Sequence, residues 1–220
     1  MREINPPQQS NQAGYTWVSA SLLFIQTPSI DTLKKILKEG QFTAQKAYLW
    51  VFFGSILLGV ALASDNPANV LILSMLMGLP IAEIDLASYQ PTMLSIALMG
   101  IITGGIYGLI GFIIQTWTLQ RIAQYFGTDG TFRDMFILRG LYVPILMTAR
   151  ALIISILGIS SPVANTLIFT TLFLDMLLST MALSAVNDLP IRRSMMVSSG
   201  MYLAMFMSLI ILFALIGAIA

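Results

Sequence analysis

Residues 142–158 read YVPILMTARALIISILG, and residues 162–185 read PVANTLIFTTLFLDMLLSTMALSA. Each stretch is apolar and long enough to cross a bilayer, for which about 20 helical residues suffice. Each also contains one charged residue, Arg150 in the first stretch and Asp175 in the second. An isolated charge at the bilayer centre costs about 2.5–3.5 kcal/mol on insertion scales. We therefore expect the two side chains to pair inside a bundle of helices.

The composition supports a membrane protein without catalytic chemistry. Of the 220 residues, 57% are hydrophobic and 10% are charged, whereas soluble domains carry about 25% charged residues. The net charge of +1 does not indicate a nucleic-acid partner. The absence of Cys and His removes disulfides and the usual zinc and haem ligands. Walker A, HExxH and Gly-x-Ser-x-Gly patterns are also missing, so we expect no cofactor, no metal and no enzymatic activity.

Five apolar segments predict an all-α, polytopic membrane bundle with five transmembrane helices over residues 47–220. The predicted spans are residues 47–64, 93–116, 138–158, 162–184 and 197–219. Only residues 159–161 separate the third span from the fourth, so these two spans must form an antiparallel hairpin. A further apolar run, residues 70–82, is only about 13 residues long, and runs of this length are typical of re-entrant or interfacial segments.

The basic residues predict how the chain is oriented. With five spans and a cytoplasmic N-terminus, ten of the 11 Lys and Arg residues fall on the cytoplasmic side, Arg139 among them. The remaining one is Arg150, inside a span. The charged residues of the opposite loops are all acidic: Asp65, Glu83 and Asp85. This distribution follows the positive-inside rule and places the C-terminus outside.

The segment before the first span is expected to lie on the cytoplasmic side. Residues 1–16 are polar and predict a disordered tail, without the pattern of a signal peptide. Residues 17–46 predict an interfacial segment with an amphipathic helix, whose charged side carries Lys34, Lys35 and Lys38. We expect these lysines to bind anionic headgroups, at about 1 kcal/mol each. Alternatively, the helix covers the cytoplasmic end of the bundle as a lid. Its apolar side consists of Ile30, Leu33, Ile36 and Leu37.

A ridge of small residues runs along the second predicted span. Such ridges let two helix backbones approach closely in lipid, where no hydrophobic effect drives helices together. Two interpretations stay open. The ridge packs within the same chain, with Gly54 and Gly59 of the first span as the facing groove, or it forms a seam for a partner or a second copy. The ridge consists of Gly100, Gly104, Gly108 and Gly111.

Asp175 belongs to a polar stripe. Thr171, Asp175 and Ser179 follow each other at four-residue spacing, so they share one face of a helix. On the predicted hairpin Asp175 lies about 9 Å further from the turn than Arg150, an offset that a long arginine side chain spans in part. The pair either fixes the register of the two helices or borders a polar cavity for an ion, a proton or a lipid headgroup.

Four short segments resemble the Yip1-domain family of membrane proteins. The first is similar to the proline-led entry into span one, and the second to the Tyr-Gly-Leu-Phe-Gly-Tyr segment of eukaryotic members. The third resembles the glycine-rich connector of bacterial members, and the fourth the Tyr-then-Pro opening of span three. In order, they are residues 28–33 (PSIDTL), 105–112 (GIYGLIGF), 122–133 (IAQYFGTDGTFR) and 139–144 (RGLYVP).

The resemblance implies a bacterial-type member of this family in the cytoplasmic (inner) membrane. Eukaryotic members bind prenylated Rab GTPases, and carry an Asp-Leu-Tyr-Gly-Pro motif before span one. That motif is absent here, and the poor match at Asp85, Leu86, Tyr89 and Pro91 lies on the wrong side of the predicted membrane. We therefore expect no binding of a Rab-type GTPase.

These observations favour a non-enzymatic scaffold or organiser of membrane proteins and lipids. The expected partners are the lipid bilayer and other membrane proteins or further copies of the chain, and no nucleic acid. One alternative is a small transporter or channel component that uses Arg150 and Asp175 as a polar path, with residues 70–82 as a re-entrant segment. The other is an accessory subunit of a larger membrane complex, with the glycine ridge as the intermolecular seam.

Overall fold

The computed structural model describes residues 15–40, 42–65 and 93–219, and these residues form helices and no strand. A π-helical segment, Gly100–Tyr107, joins α4 to α5. The all-α prediction is confirmed for the described part of the chain. Its α-helices are α1 (Trp17–Gln26), α2 (Ile30–Glu39), α3 (Ala44–Asp65), α4 (Met93–Met99), α5 (Gly108–Gln124), α6 (Phe132–Leu157), α7 (Pro162–Asn187) and α8 (Ile191–Ile219).

Four helical stretches in the described residues are long and apolar enough to cross a membrane. They are Ala44–Ser64, Ile96–Gln124, Phe132–Leu157 and Pro162–Asn187. The segment 197–219, predicted as a fifth span, belongs to α8, which is 29 residues long. The predicted re-entrant segment, residues 70–82, and most of the predicted N-terminal tail lie outside the described residues.

Capping residues set the ends of the central hairpin. Helix α6 begins at Phe132, ahead of the predicted span that starts at residue 138, because Thr131 caps it: the Asp134 backbone N–H donates to the Thr131 hydroxyl at 3.1 Å. It ends at Leu157 and is followed by Gly158, whose φ of 74° lies in the left-handed region that favours glycine. Ser161 then caps α7. Residues 158–161 thus close a tight turn that sets α6 antiparallel to α7.

Helix α3 packs closely against the π-helical segment through glycines. A Cβ atom at Gly104 would lie 2.1 Å from the Ser55 carbonyl oxygen, and one at Gly59 would lie 2.6 Å from the Gly104 Cα. Cβ atoms at Gly100 and Gly108 would overlap α3 as well. Three of the four ridge glycines therefore pack within the chain, with Gly59 as the facing groove.

Two other glycines have different surroundings. Gly54 faces α6 instead of the ridge, and a Cβ atom there would lie 2.9 Å from the Cα of Pro144. At Gly111, no atom lies within 4 Å of the position of a Cβ atom. Gly111 borders a groove between α5 and α8, opposite Gly200, where a Cβ atom would also meet open space.

The N-terminal helices α1 and α2 pack on the bundle near the start of α6. Leu33 and Ile36 of α2 are fully buried in the core, so the apolar face of α2 rests on protein, as the lid alternative predicts. Trp17 and Phe24 of α1 are buried as well. The opposite side of α1 is also apolar but is exposed by 52–56%; it consists of Val18, Leu22 and Ile25.

The three predicted surface lysines lie on the outer side of α2. Lys34 forms an ion pair with Asp188, the residue that follows α7. The Lys35 ammonium lies 5.9 Å from the ring centroid of Tyr15, and a hydrogen bond with the Tyr15 side chain raises the pKa of Lys35. Lys38 is exposed. Binding of these lysines to anionic headgroups stays a prediction.

Replacing Gly104 by Ala is expected to destabilise the bundle, because the added methyl group overlaps the backbone of α3 at Ser55. Overpacking of this kind costs about 1–3 kcal/mol. The measurement is the temperature at which the detergent-solubilised monomer is lost in size-exclusion chromatography. Gly111→Ala is the matched control, since it adds the same group in open space. Equal unfolding temperatures for the two variants would contradict the glycine contact.

Candidate functional site: a buried cluster of two arginines and one aspartate

Asp175 lies between two arginines in the interior of the bundle. Its Oδ2 atom is 3.7 Å from Nη2 of Arg150, and its Oδ1 atom is 3.7 Å from Nη2 of Arg139. Asp175 is 5% exposed and Arg139 is fully buried. The structure thus brings the predicted partners Arg150 and Asp175 together and adds a third charge. These three residues are termed the charge cluster.

The helical repeat explains why both arginines reach the same carboxylate. Arg139 and Arg150 are separated by about three turns of α6, so they lie on the same face of that helix. Counted from the turn at residues 158–161, Asp175 on α7 lies about 9 Å beyond the level of Arg150 and about 8 Å short of the level of Arg139. The two long side chains approach the carboxylate from opposite directions along the helix axis.

Arg139 is not one of the cytoplasmic loop charges that the positive-inside pattern predicts. Because α6 begins at Phe132, Arg139 lies within the helix, where it is 0% exposed. Its guanidinium donates to the Thr116 hydroxyl at 2.9 Å and to the Gln115 side-chain oxygen at 3.3 Å. It also lies 5.2 Å from the ring centroid of Phe112, a cation–π contact.

Arg150 is held by the polar stripe of α7. Its Nε donates to the Thr171 hydroxyl at 2.8 Å, and its Nη2 donates to the Thr171 backbone carbonyl at 3.2 Å. Further along the stripe, the Ser179 hydroxyl lies 2.9 Å from that of Tyr142 and 3.3 Å from that of Tyr202. The stripe therefore connects α7 to α6 through Thr171, and to both α6 and α8 through Ser179.

A pocket of about 490 Å³ borders the charge cluster. Arg150 and Asp175 line it together with Gln115 of α5 and Tyr202 of α8. The rest of its wall is mostly apolar and includes phenylalanines that are exposed on the outside of the bundle. The pocket therefore joins a charged base to an apolar exterior. Its apolar lining includes Phe169, Leu172, Phe173, Met205 and Phe206.

A second polar group lies near the end of the bundle where α6 begins. The side-chain amides of Gln120 and Asn187 bond reciprocally, at 2.9 Å and 3.1 Å. The Thr128 hydroxyl donates to Asn187 at 2.8 Å, and the Gln120 amide nitrogen donates to the Gly130 carbonyl. These contacts fasten the connection between α5 and α6 to the end of α7, so this group has a structural role.

Several members of the site are not among the residues singled out in the sequence. In the sequence, the spacing of Arg139 and Arg150 corresponds to about three helical turns, which indicates that both arginines lie on the same face of one helix. No comparable signal exists for the others, because they come from α5 and α8, whose rotation relative to the hairpin is not set by a short turn. These partners are Gln115, Thr116 and Tyr202.

Among the residues that the structure describes, no group of three His, Cys, Asp or Glu is placed to hold a metal ion.

Comparisons with protein-family models, with curated proteins and with solved structures find no match for this chain. The resemblance to the Yip1-domain family therefore stays a prediction that rests on the four short sequence segments.

Removing Asp175 alone is expected to be costly, because breaking a buried ion pair by deleting one partner costs about 3–5 kcal/mol. The double variant Arg150→Leu/Asp175→Leu should stay destabilised, since it leaves Arg139 buried without an acid. The triple variant that also carries Arg139→Leu should recover most of the stability, because well-packed apolar residues often replace buried ion pairs without loss. Unfolding temperatures in detergent measure the series. A double variant as stable as the triple would show that Arg139 does not depend on Asp175.

Proposed function

We propose that this chain is a five-span, non-enzymatic integral membrane protein of the Yip1-like, bacterial type, and that it organises membrane lipids and proteins by binding them. The observation that carries the proposal is the pocket beside the charge cluster, which opens through the side of the bundle. Phe169 and Phe173 of α7 and Phe206 of α8 lie at its wall and are exposed by 50–60%. A ligand that enters between such side chains comes from the lipid and not from water.

Helix α8 supports a fifth span. It is 29 residues long and packs against both α5 and α7. With α8 as a span, the exposed arginines Arg133, Arg192 and Arg193 lie on the side where α6 begins. The proposed orientation therefore keeps a cytoplasmic N-terminus and an outer C-terminus, in agreement with the positive-inside rule.

A transporter is the second candidate, because polar residues recur along α7 from the middle of the helix to its end. Their hydrogen bonds weigh against conduction: Ser179 is bonded to Tyr142, Thr180 to Ser198, and Asn187 to Gln120. Side chains that bond to a neighbouring helix hold that helix in place and are not free to coordinate a moving ion. The polar residues of this part of α7 are Thr171, Asp175, Ser179, Thr180, Ser184 and Asn187.

The accessory-subunit alternative loses its main support. Gly100, Gly104 and Gly108 contact α3 of the same chain, so they are not available to a partner helix. Of the four ridge glycines, Gly111 is the one where a Cβ atom meets open space; it borders the groove between α5 and α8, opposite Gly200. We therefore propose that protein partners bind as part of the organiser role, but not through the glycine ridge.

The binding role predicts that Gly111→Phe reduces the membrane components retained in mild detergent, because Gly111 lines the pocket and a Cβ atom there meets no other atom within 4 Å. The measurement is mass spectrometry of the purified protein. Leu152→Phe, in the apolar groove between α1, α3 and α6, is the matched control.

Vesicles containing the native protein should hold proton and potassium gradients as well as empty vesicles do. A flux that Asp175→Asn abolishes would favour the transporter instead.

The orientation is testable by single-cysteine labelling, because the chain has no native cysteine. Ser160 lies in the exposed turn between α6 and α7, and Arg133 is exposed at the start of α6. A membrane-impermeant maleimide should label Ser160→Cys in intact cells and Arg133→Cys only after permeabilisation. The reverse pattern would contradict the proposed topology, and labelling of both sites in intact cells would contradict a membrane-spanning α6.

A further inference from the structure

The charge cluster carries more positive than negative charge. Arginine stays protonated in proteins, so Arg139 and Arg150 each contribute a full positive charge. Among the residues that the structure describes, Asp175 is the one acidic group within 4 Å of either guanidinium. The cluster therefore has a net charge of about +1 in an environment where an uncompensated charge is unfavourable.

The cluster also contains polar atoms without partners. Arg139 Nε and Asp175 Oδ1 are buried and have no hydrogen-bond partner among the protein atoms. Both ion pairs are 3.7 Å long, which exceeds the distance of a normal hydrogen bond. Asp175 lines the pocket, while its free Oδ1 atom is buried on the side of Arg139.

The pocket supplies room for an anionic group beside this charge. Its volume of about 490 Å³ lies in the range of small-molecule sites, about 300–1,000 Å³. The Arg150 side chain is 12% exposed and lines the pocket, whereas that of Arg139 is fully buried behind it. Arg150 is thus the guanidinium that a ligand would contact, and guanidinium groups bind phosphate and carboxylate oxygens with charge-assisted hydrogen bonds.

The walls of the pocket favour an amphiphile over a free ion. Phe169, Phe173 and Phe206 lead outward from the charged base to the apolar exterior of the bundle. A hydrated phosphate ion would have to pass this apolar surface, whereas the tail of a lipid can lie along it. Arg150 lies about 10 Å along α6 from the end of that helix at Leu157. A headgroup that enters from this end of the bundle would therefore have to reach about two helical turns inward to contact Arg150.

We infer that this pocket binds a membrane lipid with an anionic headgroup, whose phosphate or carboxylate is bound by Arg150 while its tail lies along the phenylalanines of α7 and α8. The inference rests on the proposed binding function and names its ligand class. The lipid balances the excess charge of the cluster, and Asp175 prevents a second anion from binding.

The experiment measures binding of phosphatidylglycerol, phosphatidylcholine and a fatty acid to the delipidated full-length protein by native mass spectrometry. Phosphatidylglycerol and the fatty acid should bind about tenfold more tightly than phosphatidylcholine, because the choline cation cancels the phosphate charge and is repelled by the excess positive charge of the cluster; a tenfold ratio corresponds to about 1.4 kcal/mol. Arg150→Gln should remove this preference. Asp175→Asn should increase it, because it removes the competing carboxylate. Millimolar inorganic phosphate should not displace the lipid.

A second variant is needed because Arg150→Gln also disrupts the hydrogen bonds to Thr171. Gly111 lines the pocket and a Cβ atom there meets open space, so Gly111→Phe adds a bulky side chain at the pocket wall without changing any residue of the charge cluster, and it should weaken binding of all three lipids. Leu152→Phe, in the apolar groove on the other side of α6, should leave the preference unchanged.

Equal affinity for charged and zwitterionic lipids, or a preference that persists in Arg150→Gln, would overturn the inference. Displacement by inorganic phosphate would assign the site to a free anion and would overturn the lipid as ligand. Lipid that is retained without a charge preference would leave the proposed binding function standing. A chain that retains neither lipid nor protein in mild detergent would contradict both.

Discussion

Two guanidinium groups and one carboxylate share the interior of this bundle, and the packing of its central helices depends on keeping them together. Arg139 and Arg150 are on α6, while Asp175 is on α7, so the ion pairs can form only when these helices are antiparallel and in one register. Thr171 and Ser179 strengthen the same register with hydrogen bonds to Arg150 and Tyr142. A buried ion pair adds little net stability compared with apolar packing, but a misplaced charge is costly. The cluster therefore selects one arrangement by making the others unfavourable.

Close backbone contacts hold α3 against this hairpin and against the π-helical segment. Gly54 allows α3 to approach Pro144, and Gly59 allows it to approach Gly104. On the other side, α5 and α8 stand further apart from each other, and the pocket lies beside them. The bundle thus has a tightly packed side, formed around α3, and a more open side that gives access to the charge cluster. This asymmetry agrees with a protein that receives a ligand laterally.

The hydrophobic pattern was sufficient to predict an all-helical structure with helices of membrane-spanning length, and the short turn after Leu157 was sufficient to predict that Arg150 and Asp175 approach each other. Arg139 was counted with the cytoplasmic charges because it lies at the edge of the predicted span, which starts at residue 138, whereas the structure buries it inside α6, which begins at Phe132. The glycine pattern could not distinguish a contact within the chain from one between chains, since both require the same spacing. The π-helical segment and the contributions of Gln115 and Tyr202 depend on tertiary packing, for which a single sequence carries no signal.

The tight turn at residues 158–161 has a consequence for biosynthesis. With so short a connection, we expect α6 and α7 to enter the bilayer together as one hairpin. Arg150 and Asp175 then lie close enough to neutralise each other before either meets acyl chains. The insertion cost of two separate charges, about 2.5–3.5 kcal/mol each, is reduced during the same event that creates the contact. The order of assembly is therefore encoded in the length of one loop.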